Sequence, residues 1–173
     1  MYAGTDPADA TKWSLVGVYM VGRPIGRRCI LNVGSDCYLI TENGVLPMTQ
    51  VLGTGEAAPN RAITDKISFT YNQAVENFVS TFGWEGILYP RGGYGLINVP
   101  ASTGGEFNQY VVNLETGAWA RFIDQNAYTW ALLNGDLYFG GSTKVYKADS
   151  GPDDSGSAIS ASAKTAFIYF GGR

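Results

Sequence analysis

The sequence predicts an all-β fold: propeller-like repeated antiparallel sheets, about three to four units that form either an incomplete ring or another packing of the sheets, with one inserted amphipathic helix near residues 64–82. Three observations predict it. The first is a phrase that returns. A small-polar turn leads into an apolar strand, then a Gly turn, then another strand. It reads Gly34-Ser35-Asp36-Cys37-Tyr38-Leu39-Ile40-Thr41-Glu42-Asn43-Gly44-Val45, and again Asn134-Gly135-Asp136-Leu137-Tyr138-Phe139-Gly140-Gly141 closing on Lys144-Val145-Tyr146. A looser copy runs from Gly92-Gly93-Tyr94-Gly95 to Tyr110-Val111-Val112-Asn113-Leu114. The second is composition: 23 Gly, 11 Tyr, 8 Phe and 4 Trp suit strands joined by tight turns. The third is a single change of period, from alternation to helical spacing, between the first two copies.

Taken in order, residues 1–12 are small and polar and read as a loose end, leaving 13–173 as one repeat domain. Strands are expected at Leu15–Val21, Cys29–Val33 and Cys37–Thr41, then Val45–Leu46 beyond the Asn43-Gly44 hairpin turn. Gly53–Ala62 reads as a loop. Ile67, Tyr71, Ala74, Val75, Phe78, Val79 and Phe82 then mark one face of a helix over Thr64–Phe82. Thr64 or Asp65 can cap its start and Gly83 suits its end. Strands resume at Glu85–Tyr89, Leu96–Val99, Asn108–Asn113, Ala118–Phe122, Thr129–Leu133, Asp136–Phe139 and Lys144–Lys147. An acidic loop, Asp149–Gly156, precedes a last apolar stretch, Ala158–Phe170. The two clear copies stand 100 residues apart. Less a helical insert, that is about two periods of 40, the length of a four-stranded blade.

Several function classes are excluded or disfavoured. The chain of 173 residues carries a net charge of −3 without a basic face, so electrostatic nucleic-acid binding is not expected. No apolar run reaches the roughly 20 residues of a spanning helix, and no secretion signal opens the chain. Histidine is absent, which removes Ser–His and Cys–His nucleophiles and His-ligated zinc. Cys29 and Cys37 are expected to be reduced thiols, although a hairpin could bring them together.

Four constellations remain. Trp13, Trp84, Trp119, Trp130, Tyr38, Tyr110 and Tyr138 could form a stacking platform for sugars or bases, or fill strand faces as aromatics in β cores do. Arg23, Arg27 and Arg28 form a small basic cluster that reads as a solvated loop. Asp149, Asp153 and Asp154 break the alternate spacing of calcium loops and read as an acidic turn. Gly92-Gly93-Tyr94-Gly95 lacks the following helix of a phosphate loop and reads as a hairpin turn. Of the carboxylates, Asp36, Glu42, Glu85, Asp124 and Asp136 mostly fall at turns; a hydrolytic pair among them would need a cleft.

From Phe82 to Gly172 the string resembles a known pattern. Phe82-Gly83-Trp84-Glu85-Gly86-Ile87-Leu88-Tyr89-Pro90-Arg91-Gly92 opens it, and Gln109-Tyr110-Val111-Val112-Asn113 with Thr116-Gly117-Ala118-Trp119 continues it. Trp130-Ala131-Leu132, Leu137-Tyr138-Phe139-Gly140-Gly141 and Ala166-Phe167-Ile168-Tyr169-Phe170-Gly171 close it. Upstream, Gly26-Arg27-Arg28-Cys29 and Leu39-Ile40-Thr41-Glu42-Asn43-Gly44-Val45-Leu46-Pro47 fit the same pattern. It resembles the repetitive β region of tailed-phage virion proteins similar to tail nozzle and packaged-DNA stabilisation proteins. The resemblance implies a non-enzymatic tail or head–tail connector component, or a fragment of a longer one. It would be made in the host cytoplasm and built into the virion. Its partners would be other virion proteins or copies of itself, with no membrane and no cofactor or metal. The alternative is a lectin-like module binding carbohydrate or a small ligand; the third is a carboxylate-pair glycoside hydrolase.

Overall fold

The computed structural model describes residues 1–54, 62–154 and 156–161. It is mostly β, and its sheets are antiparallel. Strands β1 (Tyr2–Gly4) and β2 (Trp13–Leu15) pair as a hairpin within the end expected to be loose, with Tyr2 stacked on Trp13. Three larger sheets follow in chain order. Sheet one is β3 (Ile30–Val33), β4 (Asp36–Thr41) and β5 (Gly44–Pro47). Sheet two is β6 (Glu85–Tyr89), β7 (Tyr94–Pro100), β8 (Phe107–Asn113) and β9 (Trp119–Phe122). Sheet three is β10 (Thr129–Leu133), β11 (Asp136–Gly140) and β12 (Val145–Lys147). Each is a meander in which sequence neighbours are sheet neighbours. A last short hairpin joins β13 (Asp153–Asp154) to β14 (Ser157–Ala158).

The first strands of the three sheets lie together, with β6 in contact with both β3 and β10. Alternation assigns the faces. On sheet two, Ile97, Val99 and Tyr110 turn toward sheet one and join Leu31, Ile40 and Val45 in one core. Leu96 and Val111 turn the other way and join Trp130 and Leu137 of sheet three in a second core. Leu31 lies where a side chain on Gly86 would sit, so the missing Cβ sets the close approach of β3 to β6.

Helix α1 (Met48–Thr54) follows β5 and sets Val51 against Leu46, Tyr19 and Val21. Helix α2 (Ser68–Phe78) fills the wedge between sheets one and two with Tyr71 and Ala74. The Tyr71 hydroxyl donates to the Thr41 carbonyl at 2.6 Å, and Trp84 Nε1 donates to the Phe78 carbonyl at 2.8 Å.

The helix is shorter than its periodicity predicts. A 3₁₀ turn, Asp65–Ile67, precedes it, and Thr64 caps nothing because its hydroxyl accepts the Val45 N–H at 3.1 Å. Phe82 lies beyond the last turn and is exposed. Of the strand expected over Leu15–Val21, Leu15 ends β2 and Met20 forms an isolated bridge. Most of the loop expected at Gly53–Ala62 and of the stretch Ala158–Phe170 lies outside the described residues.

Candidate functional site

Two places gather chemically capable side chains. The first is the centre, where the three first strands meet. Glu85 opens β6 and is buried. One carboxylate oxygen accepts Arg28 Nη1 at 2.8 Å; the other accepts the Thr129 hydroxyl at 2.9 Å and the Trp130 N–H at 3.3 Å. Arg28 precedes β3 and Thr129 opens β10, so one carboxylate joins all three sheets. A buried charge needs such partners, because losing water's solvation without them costs several kcal/mol.

Asn98 lies beside it in the register, paired with Glu85 on one side and Gln109 on the other. Its amide nitrogen donates to the carbonyls of Gly83 at 2.8 Å and Ala127 at 2.9 Å. Its oxygen accepts Gln109 Nε2 at 2.9 Å and Trp130 Nε1 at 3.1 Å. Both donors and both lone pairs are engaged, the full capacity of an amide. Gln109 Nε2 also donates to the Gln125 carbonyl at 2.9 Å, which ties the loop before β10 to β8. Glu85, Asn98 and Gln109 thus act on the packing of sheet three against sheet two.

The second place is a cleft of about 1080 Å³ between sheets two and three. Phe122 and Tyr146, both partly exposed, line it together with Tyr94, Asp124, Asn126 and Asp149. Asp124 and Asp149 hold positive φ angles of 66° and 52°, a conformation that Asp tolerates better than most residues. Burial first, then the charge of Asp149 and the neighbouring Tyr89, push the Tyr94 hydroxyl up to about 12. Tyr94 therefore stays a neutral donor across the physiological range.

The residues singled out in the sequence divide between these places and the rest of the fold. Trp84, Trp130 and Tyr110 are buried, Trp119 and Tyr38 pack against the first core, and Trp13 stacks on Tyr2. Tyr138 is half-buried on the far side of sheet three. Of the three arginines, Arg28 reaches Glu85, whereas Arg23 and Arg27 are exposed and the set is not brought together. Asp36 accepts from the Thr49 backbone and hydroxyl at 3.1 and 2.7 Å. Asp136 bridges Lys147 and Arg91, each at 2.6 Å, and the Lys147 hydrogen bond holds its carboxyl below the usual range. Glu42 is half-buried. Asp153 accepts the Gly156 N–H at 3.0 Å, and among the described residues no three acidic or Cys side chains group to hold a metal ion. Gly92 closes a 3₁₀ turn and Gly93 takes φ 71° before β7, which makes the Gly-rich run a hairpin turn. Cys37 pairs with Asn32, while Cys29 alternates with Leu31 on the opposite face, and both thiols are free.

No family model, curated protein or solved structure matches the chain. No helix among the described residues is long and apolar enough to cross a membrane. Sequence reasoning missed Asn98 and Gln109. The available signal was a polar residue inside an otherwise apolar strand, Leu96-Ile97-Asn98-Val99, where both faces are buried.

Proposed function

We propose that this chain is a non-enzymatic assembly module, a phage tail or head–tail connector component or a piece of one, whose sheets are propeller blades. One observation carries the reading. Three meander sheets stand with their first strands together, and Glu85 and Asn98 at their centre hydrogen-bond across them. Blades around an axis have this arrangement, and their business is shape and contact. Its partners are other virion proteins and further copies of the chain, assembled after synthesis in the host cytoplasm. The test is to probe gradient-purified particles with an antibody against the chain. Labelling at the tail or connector is expected. Particles free of the chain, from lysates that contain it, would refute the reading.

A second reading has its own observation, the cleft between sheets two and three. Partly exposed Phe122 and Tyr146 rings beside Asp124, Asn126 and Asp149 suit the apolar face and hydroxyl rim of a neutral saccharide. Binding should quench the fluorescence of Trp130, which lines the cleft. Silence on a broad glycan array would remove this reading. The hydrolase alternative draws no support from Asp36, Glu85 or Asp136, whose oxygens are engaged.

A further inference from the structure

The cleft between sheets two and three carries a charge that the fold does not use. Glu106, Asp124, Asp149 and Asp153 lie along it, all exposed. Lys147 is the one basic residue in its described lining, and its ammonium is held 2.6 Å from Asp136. Glu106, Asp124 and Asp149 accept no hydrogen bond and form no ion pair among the described residues. Elsewhere the chain engages its carboxylates: Glu85 with Arg28, Asp136 with Lys147 and Arg91, Asp36 with Thr49. The charge of Asp149 reaches the cleft wall, where, after burial, it is the next cause that raises the Tyr94 hydroxyl.

The walls are aromatic. Tyr94 and Phe122 meet edge to face with ring centres 6.3 Å apart, and Phe139 and Tyr146 stack at 5.1 Å. Phe122 and Tyr146 are each 40% exposed, so both pairs leave ring surface open to the cleft. The face of a ring carries partial negative charge, so rings and carboxylates attract the same kind of group. Walls of low dielectric concentrate that field. One further acceptor lies in this seam. Gln109, the cross-strand neighbour of Phe122, is fully buried, and its Oε1 has no donor among the described residues. The acids are spread along the cleft, and no three described ones group to hold a metal ion. An extended organic cation suits that spread better than a point charge.

We infer that this cleft binds a guanidinium group, the side chain of an arginine presented by a partner protein. A guanidinium is planar, so it can stack on a ring while its edge gives paired N–H bonds to a carboxylate. A neutral saccharide could stack on the same rings but would leave the carboxylates without a counter-charge. The inference deepens the assembly reading above and rests on it, since it gives the chemistry of one partner.

The test titrates the nitrogen-15-labelled full chain with capped pentapeptides of four glycines around one central residue. That residue is arginine, its neutral isostere citrulline, or glutamate. Saturable amide shifts at Phe122, Asp124, Asn126, Tyr146 and Asp149 are expected with arginine, about tenfold weaker binding with citrulline, and none with glutamate. Asp124→Asn and Asp149→Asn remove charge and keep shape, and asparagine tolerates the positive φ that both positions hold. Each should weaken the arginine peptide about two- to fivefold, and added sodium chloride should weaken it in the unmodified chain. Tyr146→Leu should weaken it with the charges in place, and circular dichroism checks that each variant is folded. Equal binding of the citrulline peptide, no saturable shift with arginine, or full affinity in both aspartate variants overturns the inference. Shifts of the same amides with cellopentaose and none with the arginine peptide overturn it in favour of the saccharide reading. The particle-labelling result does not depend on any of these, so this inference and the assembly reading fail separately.

Discussion

Truncating Asn98 to alanine should loosen sheet three from sheet two more than any change at the surface. The side chain is fully buried and makes four hydrogen bonds of 2.8 to 3.1 Å. Alanine leaves the Trp130 indole N–H without its acceptor and removes a donor from two carbonyls, while Gln109 keeps its bond to Gln125. A buried polar group left unpaired costs about 1–3 kcal/mol, and water entering the space offsets part of the sum, so the net loss should be about 3–5 kcal/mol. Against a total stability of roughly 5–15 kcal/mol that is a large fraction. Urea unfolding followed by Trp fluorescence should show a lower midpoint at unchanged slope. Asn98→Asp keeps the shape but faces two carbonyls that need donors. Burial beside those carbonyls raises the folded-state pKa of the introduced carboxyl above its unfolded value. The protonated form then favours the fold below the unfolded pKa, and that gain is lost as pH rises through the folded pKa. Relative to the unmodified chain, Asn98→Asp should therefore recover stability as pH is lowered from neutral, and Asn98→Ala should not. An alanine variant within about 1 kcal/mol of the parent, or an aspartate variant indifferent to pH, would refute the reasoning.

Three further outcomes follow from the same packing. Gly86→Ala should destabilise by about 1–3 kcal/mol in a urea titration, because its Cβ meets the Leu31 side chain between β3 and β6. Burial raises the hydroxyl pKa values of Tyr71, Tyr94 and Tyr110, so an ultraviolet titration should show these ionising after the exposed tyrosines. Their protonated forms favour the fold, so stability should hold below the unfolded-state value near 10 and fall as pH rises beyond it. Cys29 and Cys37 occupy opposite faces of sheet one, so intact mass under oxidising conditions should show no intramolecular loss of two hydrogens.

The sequence made sheets one and three legible because each carries an Asn-Gly or Gly-Ser turn, and sheet three has one covered face. Alternation and turn chemistry then agree, and β10 falls on Thr129–Leu133 as read. Sheet two was harder. Both its faces are covered, so β7 is a buried run in which alternation disappears and Asn98 looks like an interruption. Helix α1 is one short stretch after Pro47 without acidic or basic residues at its ends, and it shows no apolar periodicity. The apolar alternation of Val16, Val18 and Met20 misled, since exposed apolar residues are common and these lie beyond the end of β2. The centre could not be read at all. Arg28, Glu85 and Thr129 are separated by 57 and 44 positions, and only the fold brings them within hydrogen-bond reach.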